Sequence, residues 1–424
     1  MNKSQLIGIL IVGMSLGTAW AVRGQFGHEQ GAAWAGGIGA LALVVVSKRN
    51  DWYRKILSIA FVAAIGWGMT GMISYGRVVG YGRANDFPNA YYGLLMLFVI
   101  GGLFGLLGGG LTGLCLESSE KKKVKWAKLM AEMVAGALIS YGLLVQQLGV
   151  LMTPPRSEAW AVSLGAGLAM LWYMARNKFD SSLRVALFTA LGAGFGFAFG
   201  NFLQTVGTVL QINFNMWNVM EYSIGFFGGT SLAYTVFTSH WPQAENGPKK
   251  WETKIALLFL VAFIPLVVFR ESIQYDELIK RFANFPDPGN AARLTSWVAA
   301  LLLSAVMLFA WVKKGQQSAS CVSVAVKYFF AVYFAVYIIM SYLVTGALAG
   351  QFHLNHHLYV VNFIVIFFLL KNTGYPLVGI HIHKMNDGRY RLWLAGIIAA
   401  IAILTLIAIS IHGEINGAHD RFPL

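Results

Sequence analysis

Charge is what this chain has least of. Of its 424 residues only 12% are Asp, Glu, Lys or Arg, against 57% hydrophobic, and mean hydropathy is +0.61. A soluble domain carries roughly 25% charged residues, so a water-soluble globular fold is excluded and lipid must be the solvent. Cysteine is nearly missing as well. Cys115 and Cys321 cannot build a disulfide framework or a zinc site, and both are expected at helix ends as packing thiols. No polar stretch is long enough to fold alone, so residues 1–424 read as a single polytopic membrane domain. Catalytic signatures are also wanting: there is no phosphate loop, serine elbow, SxxK or HExxH motif. No histidine pair within the helices suits a haem. The first outer loop, eight residues long, is too short for the acid-bearing loop of a membrane glycosyltransferase. No cofactor and no nucleic-acid partner are expected.

What the chain does have is apolar runs of about 17–25 residues, each the length of a helical bilayer crossing. They predict an all-α bundle of thirteen spans at 5–22, 31–47, 56–75, 91–115, 128–148, 159–175, 185–206, 216–237, 254–270, 293–312, 324–346, 356–370 and 392–411. The twelfth is the weakest, because its apolar core "LYVVNFIVIFFLL" is short. Lys3 before an apolar core resembles a signal peptide. The run continues into glycine-rich sequence with the texture of later spans, so it is expected to stay as the first membrane helix. Every second connection is basic: "SKRNDWYRK", "ESSEKKKVKWAK", "ARNKFDSSLR", "GPKKWETK", "VKKGQQ" and "HKMNDGRYR". Cytoplasmic loops collect Lys and Arg. The N-terminus is therefore expected inside and the C-terminus outside, in a multi-pass protein of the inner (cytoplasmic) membrane. The net charge of +14 is mainly this topology signal.

The outward turns hold the rare ionisable groups. "AWAVRGQFGHEQGAAWAGG" places Arg23, His28 and Glu29 in one turn, and "YGRVVGYGRANDFPN" carries Arg77, Arg83 and Asp86. Of nine outward basic residues all but Lys280 are arginine. The planar guanidinium fork grips a carboxylate or phosphate at two points, which lysine cannot do. Arg23 and Arg77, each beside glycines, are expected to bind an anionic group. The competing reading is that such arginines snorkel to lipid headgroups.

Glycine-spaced hairpins recur at roughly 9–47, 56–115, 128–175 and 185–237, followed by the remaining helices over 254–411. They share one orientation, so a symmetry axis would run along the membrane normal, as in parallel-repeat transporters. Equivalent polar turns would then converge on one outward-facing cavity. "ISYG" occurs at 73–76 and again at 139–142. The small-xxx-small spacings, among them Gly101–Gly105 and Gly192–Gly196, read as tight helix packing.

Glu221, in "NMWNVMEYSIGFFGG", lies well inside an apolar helix. A carboxylate there costs on the order of several kcal/mol or stays protonated, which makes it a functional candidate. Positions 214, 217, 218, 221 and 225 share a helical face, putting Phe214, Trp217, Asn218 and Glu221 on one stripe. Asn201 and Gln204, three apart on the preceding helix, could face the same space. The competing reading makes Glu221 a structural partner for an arginine across the bundle. Glu132 follows Lys125 and Lys128, and a local helix pair accounts for it. His353, His356 and His357 have ligand-like spacing, but no Cys or carboxylate lies within that motif and no metal is assigned. His381 and His383 are assigned nothing.

These residues together lead to the expectation of a secondary transporter, proton-coupled, for a small polar and anionic organic solute: a sugar, sugar acid or organic phosphate. Arg23, Arg77, Trp217, Asn218, Asn201 and Gln204 would hold the solute, and Glu221, His28 and Glu29 would carry the proton. The alternative is a membrane-embedded transferase acting at the outer face on a lipid-linked or saccharide substrate, with His28/Glu29 or the 353–357 histidines as acid–base groups. A scaffold subunit of a larger complex is a third reading. A transporter needs polar or small lining down to the inner side, whereas an enzyme can close below its site. The expected partners are the bilayer and the solute, and a homo-oligomer is compatible with both.

Overall fold

A computed structural model describes residues 2–243, 246–313, 322–347, 353–371, 373, 377–379 and 387–422. The described chain is all helix, without a strand. In lipid a helix satisfies every backbone group within one segment, so long apolar runs have no other stable form. The helices are α1 (Lys3–Arg23), α2 (His28–Ser47), α3 (Asn50–Arg54), α4 (Ile56–Thr70), α5 (Gly76–Tyr81), α6 (Phe87–Glu117), α7 (Trp126–Ser140), α8 (Ala159–Arg176), α9 (Asp180–Val209) and α10 (Met216–Phe237). After these come α11 (Lys250–Leu258), α12 (Ile264–Ser272), α13 (Tyr275–Arg281), α14 (Pro288–Lys313), α15 (Val322–Thr345), α16 (Leu354–Lys371) and α17 (Asp387–Ile411). Ten helical segments are long and apolar enough to cross a membrane, so this is a multi-pass membrane protein. Each of the thirteen expected spans overlaps a helix. However, α4 is only 15 residues long, and α8 and α10 are not among the ten. In α10 the polar Asn218, Glu221, Ser223 and Thr230 dilute the apolar run.

Three expected spans are not continuous α-helix. The run 56–75 stops at Thr70, and residues 71–75 cross back into the bundle before α5 begins. At Gly71 an added Cβ would lie 2.5 Å from the His28 carbonyl oxygen, so only glycine lets this break press against the start of α2. The run 128–148 ends in a π-helical stretch, Tyr141–Gln147. A second π-helical turn, Phe259–Phe263, joins α11 to α12 just before Pro265. Proline supplies no N–H to the helical ladder, which loosens there. The two "ISYG" segments therefore differ: 73–76 forms the break and start of α5, while 139–142 passes into the π-helix.

Six helices close into a ring, in the order α1, α2, α4, α6, α9, α10 and back to α1. They are the first, second and fourth glycine-spaced hairpins. The third, α7 with α8, lies outside the ring against α6. It carries the Glu132–Arg176 ion pair at 2.6 Å, which replaces the local lysine pairing expected for Glu132 because α8 lies alongside α7. Further out, α15 and α16 pack on α1, α15 also on α2, and α17 lies along α6 and α9. Gly101 and Gly105 face α9, and Gly192 and Gly196 face α10, so the small-residue rows are helix interfaces.

The ring has a solid middle. Trp67 of α4 is buried against α1, where its ring meets Trp20 edge-on at 5.1 Å. A Cβ at Gly108 of α6 would fall 2.4 Å from the Trp67 indole, and at Gly36 of α2 2.6 Å. Phe104 and Phe197 continue the aromatic column. Cys115 is buried near the end of α6, while Cys321, His381 and His383 lie outside the described residues.

Candidate functional site

All three ring hairpins turn at the same end of the bundle, and the rare charges meet there. Arg23, the last residue of α1, has 1% side-chain exposure, and Glu221, one turn into α10, has 4%. Arg23 Nη1 donates to Glu221 Oε2 at 2.8 Å and to the Tyr75 hydroxyl at 3.2 Å. The Tyr75 hydroxyl in turn donates to Glu221 Oε1 at 2.5 Å. Arg23 Nε donates to the His28 carbonyl at 3.4 Å, and Nη2 lies 3.1 Å from His28 Nδ1. The guanidinium also stands over the Trp20 ring at 5.0 Å. One hydrogen-bonded cluster thus draws on the first hairpin (Arg23, His28), the second (Tyr75) and the third of the ring (Glu221).

Beside it lies a carboxamide–phenol cluster. Asn355 of α16 donates to Asn218 Oδ1 at 2.9 Å, and the Tyr359 hydroxyl bonds the same oxygen. Asn362 donates to Thr18 at 3.1 Å, which continues the α16–α1 polar seam. His356, 1% exposed, sits against Thr345 through Nε2 at 3.2 Å, and Tyr342 lies 3.2 Å from His357 Nδ1. Among the described residues no three His, Cys, Asp or Glu converge as a metal-binding group.

Towards solvent, a cavity of about 480 Å³ opens between the end of α9 and the start of α10. Its walls include Arg83, Gln204, Thr208, Asn213, Asn215 and Trp217. Gln204 also accepts from Asn201 Nδ2 at 3.1 Å, which connects the cavity wall to the buried interior. Asn201 Nδ2 reaches the Val79 carbonyl at 3.4 Å as well. Below the ionic cluster Phe197 meets Tyr75 edge-on at 5.1 Å, and the aromatic column follows.

The expected site residues divide into separate groups. Arg23, His28 and Glu221 share a cluster, and Asn201 pairs with Gln204. Asn218 is buried, but it faces α16. Trp217, 45% exposed, turns the other way into the cavity, because adjacent helix positions differ by about 100°. The stripe is therefore split between two environments, and Phe214 precedes the helix altogether. Arg77 does not join Arg23. It is exposed on α5, 3.3 Å from His419 Nδ1, since residues 412–422 fold back over that helix. Asn89 holds the returning segment, accepting from the backbone N–H of Arg421 at 2.7 Å and of Phe422 at 2.8 Å. Glu29 is exposed in the first turn of α2, where the helix dipole favours a carboxylate.

Tyr75, Asn355 and Tyr359 were not singled out by composition or spacing, and Arg83 was noted only as one of the outward arginines. For Tyr75 the signal was available in the flanking glycines of "GMISYG", which mark the break that turns it inward. Comparison with family models, curated proteins and solved structures finds no match to this chain.

Proposed function

We propose that this protein is a proton-coupled secondary carrier for a small polar, anionic organic solute such as a sugar, sugar acid or organic phosphate. The observation that carries the reading is the buried Arg23–Glu221–Tyr75 cluster, which ties three hairpins together at one mouth. Charges inside a membrane bundle are expensive and mark ion or substrate pathways. Breaking such a pair strands a charge in low dielectric, so the pair opens only when another anion takes the place of Glu221 beside Arg23. Protonation of Glu221 releases Arg23, whose fork then accepts the anionic group of the solute. Loss of the Glu221 link also frees α1 and α10 to separate at the mouth. Trp20, Trp67, Phe104 and Phe197 close the axis in this conformation and have to shift before solute can pass, as alternating access requires. Gln204 and Trp217 at the cavity wall supply carboxamide and indole contacts for a sugar-like body, with Asn201 bonded behind Gln204, whereas Asn218 is engaged by α16.

In this reading the thirteen helical spans all cross the inner membrane as parallel-repeat hairpins plus outer helices. The N-terminus is inside, the C-terminus and mouth outside, as the basic alternate loops indicate.

Uptake into proteoliposomes with an imposed pH gradient tests the proposal, using labelled sugars, sugar acids and organic phosphates. Gradient-driven accumulation of one compound, lost in Glu221→Gln and Arg23→Gln, is the expected result. If no compound accumulates and one emerges chemically altered, the outer-face transferase replaces the carrier.

A further inference from the structure

The cluster that makes Arg23 distinctive also occupies it. Its Nη1 serves Glu221 and Tyr75, its Nε serves the His28 carbonyl, and its Nη2 faces His28. An arriving anion meets no free fork there. Arg83 differs. It is half-buried at the wall of the 480 Å³ cavity, its Nη2 donates to Thr208 at 3.0 Å, and among the described residues no carboxylate pairs with it.

Arg83 is placed there by design of the backbone. It directly follows Gly82, whose α-carbon packs against the Asn201 side chain, where a Cβ would fall 2.2 Å from Oδ1 and displace that carboxamide. Thr208, held by its own bond to the Gln204 carbonyl at 2.9 Å, orients the guanidinium across the cavity wall. The same cavity is lined by Asn213 and Asn215, with the half-exposed Trp217. A cation with spare N–H groups, carboxamides and an aromatic plate together suit a polyhydroxylated body bearing one oxyanion. The volume lies in the range of small-molecule sites, about 300–1,000 Å³.

We infer that the Arg83 cavity is a first binding site for an oxyanion-bearing polar solute, with Arg83 reading the anion and Trp217 and Gln204 the body. The inference rests on the carrier reading for its role. The solute is captured at Arg83 and passes Gln204 and Asn201 towards Arg23 once Glu221 is protonated. A phosphate oxyanion could also belong to a lipid headgroup, since the cavity opens at the helix ends.

Binding of glucuronate, glucose 6-phosphate and glucose to the full chain in phosphatidylcholine nanodiscs, by titration calorimetry, tests this. At least one anionic probe should bind about 10-fold or more tighter than glucose, the effect of a charge-assisted hydrogen bond. Arg83→Gln should bring the anionic probes to within about 2-fold of glucose, and Arg83→Lys should fall between, because it keeps charge but loses the fork. Trp217→Ala should weaken all bound probes together and leave their ratio unchanged. It also serves if Arg83→Gln fails to fold. No binding by any probe, no preference for an anion, or a preference that survives in a folded Arg83→Gln protein overturns the site, as does a ratio that changes in Trp217→Ala. Repeating the titration with one third phosphatidylglycerol separates the sources. Weakened probe binding in wild type assigns the oxyanion to a lipid headgroup, and unchanged binding assigns it to a free solute. Uptake insensitive to Arg83→Gln removes this site and leaves the carrier, whereas Arg83-dependent binding without uptake removes the carrier and leaves the site.

Discussion

Two arginines are buried at opposite ends of the same ring, and they are satisfied in different ways. Arg184, near the start of α9 and 4% exposed, donates to the Ser239 hydroxyl at 2.7 Å, the Thr238 hydroxyl at 3.0 Å and the Thr235 carbonyl at 3.1 Å. These acceptors cluster at the C-terminal end of α10, where the helix dipole already favours a cation. Among the described residues no carboxylate is needed. Arg23 instead faces Glu221, near the N-terminal end of the same α10 helix. The difference teaches that this bundle can bury a guanidinium with hydroxyls and carbonyls alone. At the C-terminal end of α10, burying an arginine therefore takes no carboxylate. Glu221 adds a second desolvated charge at the N-terminal end of α10, where the dipole disfavours a cation and the helix offers no free carbonyls, so Arg23 is held there by a carboxylate instead.

The sharpest way to break the comparison is to remove one charge from the mouth. Glu221→Ala strands Arg23 and should cost about 3–5 kcal/mol, read as a lower denaturation midpoint in detergent. Removing both charges with Arg23→Met and Glu221→Met should restore most of that loss, because apolar replacements of a buried pair are often neutral. Uptake should stay absent in the double variant. A double variant that is stable and still transports would make the pair structural, like Arg184. Tyr75→Phe comes next. It removes a hydrogen bond to a charged group, at a cost of about 1.5–3 kcal/mol, and should slow uptake without abolishing gradient dependence. The smallest effect on uptake is expected at the other end: Thr238→Ala, which also removes a hydrogen bond to a charged group, should lower stability by about 1.5–3 kcal/mol and leave uptake rates at the wild-type level. A transport defect there equal to that of Tyr75→Phe would erase the distinction between the two arginines.

Much of the architecture was legible from residue order, for a local reason. An apolar run in lipid has helix as its only open-ended solution, so run length alone located the helices. Runs such as 91–115 and 185–206 grew by a few residues at each end, since caps such as Asp86 set the true boundary. The break at 71–75 escaped because its residues are as apolar as a continuing helix, and only the approach of Gly71 to α2 reveals why the chain leaves the axis. Arg23 and Glu221 stood out because ionisable groups are scarce. An arginine across the bundle was the competing expectation for Glu221, but that it is Arg23 was not legible, since 198 positions separate them. Tyr75 and Tyr359 stayed hidden among the 17 tyrosines of the chain.

Composition and run length therefore settle that this is a multi-pass helical membrane protein, because the solvent a segment requires depends on that segment alone. Which charges meet depends on something no segment contains. Ring closure of α1 against α10, through Gly17 and Gly225 at backbone contact, brings Arg23 to Glu221. The inward turn after α4 delivers Tyr75, and the seat of Gly82 on Asn201 aims Arg83 at the cavity. Each of these is a fit between surfaces distant in sequence, fixed only when the helices have packed.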